Sequence, residues 1–134
     1  MKLNEKIASE EGFSDVLYIC PAGYKSIGYG FNLDATRMPL EVADLWLDLN
    51  IQELKRRLAH FEWLSKLDEP RQIVIYDMAY QLGINGMLAF TSMINSLRAE
   101  RYHEAAEHLL DSRYARQTPN RAMRNAEILR TGEI

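Results

Sequence analysis

The sequence holds a single cysteine, Cys20, in 134 residues. No intrachain disulfide can form, which excludes disulfide-stapled scaffolds and fits synthesis in a reducing compartment. Histidines are few: His60, His103 and His108 share no ligand spacing with acids or with the cysteine. His103 and His108 lie five apart and fall on different helix faces, so no metal and no cofactor is expected. No stretch approaches the roughly 20 apolar residues of a membrane span. The opening MKLNEKIASEEGF has no apolar run of signal-peptide length, so synthesis in the cytoplasm is expected. Excess positive charge is also missing. Sixteen Lys+Arg stand against 19 Asp+Glu, a net charge of −3. Arg113, Arg116, Arg121 and Arg124 are scattered, not gathered into a basic stripe, so no nucleic-acid partner is expected.

What is present is ordinary globular composition, 47% hydrophobic and 26% charged. A chain of this length buries about two thirds of its unfolded surface, enough for one domain over residues 1–134. There is no repeat, low-complexity stretch or linker.

Residues 1–11 read as a short helix with Leu3, Ile7 and Ala8 on its apolar side and Gly12 as its stop. Residues 13–31 lose the helical period and are rich in Gly, Tyr, Ile and Ser, which predicts two or three short antiparallel strands. Cys20-Pro21-Ala22-Gly23-Tyr24 reads as the hairpin, with proline opening the turn and glycine able to take the left-handed conformation. That loop pairs Cys20 with Tyr24 and Tyr18 with Ser26. Alternation then puts Tyr18, Cys20 and Ser26 on one face.

Pro39 suits a helix start. From there to about Ala59, Val42, Leu45, Trp46, Leu49, Leu54 and Leu58 form an apolar stripe at three- and four-residue steps. Further helices are predicted at about 69–82, 86–97, 102–111 and 119–130, punctuated by Gly83, Gly86, Pro119 and Gly132. The expected fold class is α+β and mostly helical. A small antiparallel sheet lobe (about 13–38) and a helical lobe (about 61–134 plus 1–11) are joined by a long helix (about 39–60). A cleft between lobes is the usual place for a ligand.

The strongest local signal is Glu11 before the glycine-rich hairpin, EEGFSDVLYICPAGYKSIGYGF. A carboxyl at a helix end facing a sheet edge can be partly desolvated, which raises its pKa toward the range of a general acid. Taken alone, a Glu-Glu pair ending a helix is more often solvated surface.

Residues 11–30 resemble the active-site segment of the phage-type lysozymes, glycoside hydrolase family twenty-four, to which the lysozyme of the T-even phages belongs. That family carries a Glu, eight residues, an Asp or sometimes a Cys, five residues, then a Thr. Here the series is Glu11, Cys20, Ser26. Gly23-Tyr24 and Ile27-Gly28-Tyr29-Gly30 match the hairpin. Gln117-Thr118-Pro119-Asn120-Arg121-Ala122 with Arg124 and Arg130-Thr131-Gly132 matches the C-terminal signature. Tyr80-Gln81-Leu82-Gly83 with Phe90-Thr91 is a third, weaker match.

The resemblance implies a lysozyme-like fold and hydrolysis of peptidoglycan glycan strands at the β-1,4 link after N-acetylmuramic acid. It assigns Glu11 as general acid, faced and oriented by Arg121. Tyr18, Tyr80, Gln81 and Asn120 would bind sugar. Thr118, with Asn120, would cap the last helix and shape the cleft wall. Cys20 and Ser26 would hold the attacking water. It further implies a monomeric phage or prophage endolysin, kept in the host cytoplasm until a holin opens the way to the cell wall.

Three departures stand out: Cys20 for the usual Asp, Ser26 for Thr, and Phe31 for a frequent His. A thiol titrates near 8.5 and is only a few per cent thiolate at pH 7. A nearby carboxylate would reduce that fraction, making Cys20 a poor base unless Arg or Lys is close. Base, nucleophile and water-orienting roles remain open, with water-mediated inversion favoured. The competing reading is a catalytically weak peptidoglycan-binding or phage tail-associated module on the same fold.

Overall fold

The computed structural model describes residues 2–134. The fold is mostly helical with one small antiparallel sheet, the expected α+β class. The chain divides into two compact units, Met1–Leu45 and Trp46–Ile134.

In the first unit, α1 (Leu3–Glu11) begins where the Lys2 backbone N–H donates to the Glu5 carboxylate at 3.2 Å. A Lys6–Glu10 pair one turn apart supports its exposed face. It stops at Gly12, whose φ of 70° ends the helical path while its N–H still donates to the Ala8 carbonyl at 2.9 Å. Strands β1 (Ser14–Ile19), β2 (Lys25–Gly28) and β3 (Phe31–Asn32) follow in sheet order β1-β2-β3. The register is the predicted one. Tyr18 pairs with Ser26, Ile19 with Lys25, and the Cys20 N–H donates to the Tyr24 carbonyl at 2.9 Å. Gly23, at φ 92°, closes the turn by donating to the Cys20 carbonyl at 2.8 Å. An irregularity between Ser14 and Tyr18 has no clear signal in the sequence.

Helix α2 (Leu40–Leu58) starts directly after Pro39, whose carbonyl accepts from Val42 and Ala43. Its apolar stripe is not buried along its length as the periodicity predicts. Val42, Leu45, Trp46 and Leu49 are exposed; only Leu58 is fully buried, with Leu54 partly so. The core of the second unit reaches the last two turns of the helix and no further.

That unit continues with α3 (Glu62–Ser65), α4 (Glu69–Leu88), α5 (Thr91–Arg98), α6 (Tyr102–Leu110), α7 (Arg113–Gln117) and α8 (Pro119–Thr131). Asp68 caps α4 by accepting from the Arg71 N–H at 3.1 Å, and Ser112 caps α7 by accepting from Ala115 at 3.1 Å. Gly83 breaks α4 internally with φ 80° and ψ 161°. The core gathers Leu58, Leu64, Val74, Ile75, Met78, Met87, Met93, Leu97, Leu109 and Leu129. Arg71 is buried against it, with Nε donating to the Leu129 carbonyl at 2.7 Å, Nη1 to Asp68 at 2.6 Å, and its Cζ 3.5 Å from the centroid of the Tyr102 ring. It thereby satisfies carbonyls at the end of α8, which Gly132 terminates in the left-handed conformation. Among the described residues no helix is long and apolar enough to cross a membrane.

Candidate active site

The candidate residues fall into two sets, one in each unit. In the first unit, α1 ends on Glu11 and the β2–β3 turn brings Gly30 against it. A Cβ built on Gly30 would lie 2.6 Å from Glu11 Oε2 and 3.3 Å from Cδ, and Gly30 has φ +71°. Glycine is thus required twice over, for backbone conformation and for the closeness of the carboxyl. Glu11 itself is exposed, so the hairpin alone does not supply the desolvation that the sequence argument invokes.

Cys20 departs from expectation in a useful direction. Partial desolvation pushes its thiol up. The Tyr24 amide, the Tyr24 hydroxyl, and the turn amides of Ala22 and Gly23 outweigh it, so the net effect lowers the thiol below its ordinary value. The turn's bonds thus act in the direction that the sequence reading asked of an Arg or Lys. Tyr24 is pushed the other way, first by its bond to the Cys20 sulfur, then by the charges of Cys20, Glu11 and Tyr18 together with desolvation. Tyr24 thus belongs with Glu11, Tyr18 and Cys20, although its residue type alone offers no reason to prefer this over a packing role. Ser26 is 1% exposed, and among the described residues no group bonds its hydroxyl.

In the second unit, Asp77, Tyr80 and Gln81 lie three and four residues apart on α4 and share a face. Arg121, in the first turn of α8, reaches this face. Its Nε donates to Asp77 Oδ2 at 3.0 Å and its Nη2 to Oδ1. Asn125 Nδ2 donates to Asp77 Oδ2 at 2.8 Å and to the Tyr114 hydroxyl at 3.1 Å. Burial raises the Asp77 pKa, but the bonds from Arg121 and Asn125 and the nearby Arg121 charge overcome it and hold the carboxyl below its ordinary value. The sequence reading missed Asp77. Its signal is a lone acid inside the apolar segment Ile73–Ala79.

Thr118 is the residue before α8 but does not cap it. Its hydroxyl donates to the Tyr114 carbonyl at 3.0 Å, and its backbone (φ −133°, ψ 68°) turns the side chain to the preceding helix. Asn120 lies inside α8, exposed, where it cannot serve as the N-cap.

Among the described residues, two buried side-chain oxygens lack any hydrogen-bond partner: Ser26 Oγ and Gln81 Oε1. Such orphans are rare and call for an explanation. Both belong to residues the motif match singles out.

Residues 8–127 match the phage lysozyme family, a span that holds Glu11, Cys20, Ser26, Tyr80, Gln81 and Arg121. The chain belongs to the phage lysozyme family. Within it, similarity to individual relatives is modest. Probable T4-type lysozyme 1 of Dictyostelium discoideum is 32% identical over 70 residues, covering 52% of this chain and 41% of that protein. The pre-baseplate central spike protein Gp5 of Enterobacteria phage T4 is 31% identical over 163 aligned positions, covering all of this chain and 28% of Gp5. Probable T4-type lysozyme 2 of Dictyostelium discoideum is 27% identical over 70 residues. The chain thus spans less than half the length of these curated relatives.

Proposed function

We propose that this member of the phage lysozyme family is a muramidase, hydrolysing the β-1,4 link between N-acetylmuramic acid and N-acetylglucosamine in peptidoglycan. The observation that carries the reading is the coincidence of two independent signals. The buried, unpartnered oxygens of Ser26 and Gln81 sit on residues that the family motif picks out. A buried hydroxyl without a protein partner suits a bound water, and a buried amide oxygen suits a sugar hydroxyl.

Glu11 donates its proton to the glycosidic oxygen as the C1–O bond breaks, through an oxocarbenium-like transition state. A water held by Ser26 and Cys20 attacks C1 from the opposite face. Its proton passes to the Cys20 sulfur in its thiolate form, which the bonds from Tyr24, Ala22 and Gly23 favour. Tyr18, Tyr80, Gln81 and Asn120 bind the glycan, and Arg121 and Thr118 support the site. The chain acts as a monomeric endolysin, released from the host cytoplasm when a holin opens the inner membrane.

A second reading has its own support. Similarity over the whole of this chain to part of a protein named as a pre-baseplate central spike protein favours a tail-associated module on the same fold. Clearing of permeabilised Gram-negative cells separates the two. The parent should clear them, and Glu11→Gln should clear about 10²–10⁴-fold more slowly, because the amide keeps the shape but cannot give the proton. An inert parent, or a Glu11→Gln variant at parental rate, would overturn the hydrolase assignment.

A further inference from the structure

The unit Trp46–Ile134 carries a cavity of about 310 Å³ that uses none of the residues assigned to glycan cleavage. Its size is that of a small-molecule site. It lies between α3 and the turn that joins α5 to α6. Leu67 and Leu97, both buried, supply its apolar lining. Trp63 and Tyr102, each partly buried, are its aromatic walls, and each is held by a neighbour outside the cavity. The Phe61 ring lies 6.2 Å from Trp63, and Arg71 Cζ lies 3.5 Å from the Tyr102 centroid. Aromatic surface fixed in advance binds a ligand with little loss of side-chain freedom.

The charged residues of the cavity divide in two. Glu62 and Lys66 pair with each other at 3.3 Å. Arg98 and Glu100 are exposed and, among the described residues, make no ion pair. Glu100 is held there under strain. The α5 helix ends in a Schellman turn, where the Arg101 N–H donates to the Ser96 carbonyl at 2.8 Å and the Glu100 N–H to the Leu97 carbonyl at 3.1 Å. Glu100 fills the turn position that glycine favours, at φ 59°, and among the described residues no other non-glycine has a positive φ. The turn itself asks for glycine, so a strained carboxylate at the cavity points to a role beyond folding.

We propose that this cavity binds a zwitterionic amino-acid end: Arg98 takes its carboxylate, Glu100 takes its ammonium, and its apolar stem lies against Trp63 and Tyr102. A guanidinium fork matches a carboxylate, and an ammonium beside aromatic faces gains further attraction. A ligand with charge of one sign only would leave Arg98 or Glu100 without a partner. The inference does not rest on the hydrolase reading. Free diamino acids and the uncross-linked peptide stems of cell walls both present such an end.

Isothermal titration calorimetry tests the site with diaminopimelate, which has two such ends joined by a short apolar chain. Pimelate, with the carboxylates only, and cadaverine, with the ammonium groups only, are the controls. Diaminopimelate should bind the parent, and each control should bind at least about tenfold more weakly. Arg98→Gln and Glu100→Gly should each weaken diaminopimelate by at least about tenfold. Glu100→Gly should also melt about 2–5 °C higher, because glycine relieves the strain. Its folding is therefore not at risk, and a Glu100→Gly variant that binds as tightly as the parent overturns the proposal. So does a parent that ignores diaminopimelate or binds all three ligands alike. A soluble wall fragment with an uncross-linked stem distinguishes the sources: binding at least as tight as that of diaminopimelate assigns the stem, and weaker binding assigns the free diamino acid.

Discussion

In the unit from Trp46 to Ile134, Leu64, Val74, Ile75, Met78, Leu109 and Leu129 are all buried. In the unit from Met1 to Leu45, Ser26 alone among the described residues is buried, while Val16, Leu17 and Ile19 stand exposed. One unit is held by a packed core. The other is held by local devices: the Gly12 helix stop, the Cys20–Tyr24 turn bonds and the close seat of Gly30 on Glu11. The proposed proton donor and water site lie on the second kind of structure. Stability and chemistry are therefore separable here, and substitutions should move one without the other.

The largest stability contrast comes from truncating apolar side chains in each unit. Leu129→Ala should cost about 2–5 kcal/mol, whereas Ile19→Ala, at 60% exposure, should stay within about 0.5 kcal/mol. Urea unfolding of both variants measures this, and equal losses would break the contrast. Gly30→Ala should do the reverse of Leu129→Ala. It forces a methyl onto the Glu11 carboxyl at a positive φ, so activity should fall by at least about tenfold for a stability loss of about 1–2 kcal/mol. Wall-clearing rates set beside melting temperatures would reveal a Gly30→Ala variant that loses only stability.

Smaller still is the effect at Cys20. Cys20→Ala should lower activity about tenfold, roughly 1.4 kcal/mol, and Cys20→Asp should retain it. Partial desolvation raises the thiol, but the turn's bonds outweigh it and hold it below its ordinary value, and alkylation consumes the thiolate. Inactivation by iodoacetamide should therefore rise with pH and reach half its maximum at lower pH than alkylation of a cysteine in an unstructured peptide. A midpoint at or above that of the peptide thiol would remove the turn's influence on the sulfur.

How far the sequence carries the reader differs between the same two regions. The hairpin register was legible because Pro21 and Gly23 admit few turns, and a known turn fixes every pair beyond it. The main helices were legible from period and punctuation. Helices α3 and α7, of four and five residues, are too short to show a period. The stripe on α2 has the right spacing for burial, but spacing says nothing of whether a partner lies opposite. Thr118 looks like a cap by residue type, yet its backbone dihedrals send the hydroxyl to Tyr114. Asp77 escaped because its partner, Arg121, is 44 residues away and no local pattern links them. The lowered thiol of Cys20 arises from turn amides and the Tyr24 hydroxyl, whose placement residue identity does not report.

The central claim is that water, with Glu11 as acid, splits the glycan strand itself. Mass spectrometry of the soluble products from purified peptidoglycan tests it most directly. The account predicts fragments ending in reducing N-acetylmuramic acid from the parent and almost none from Glu11→Gln. Fragments cut in the peptide stems, strands ending in an anhydro sugar, or no soluble product at all would contradict it.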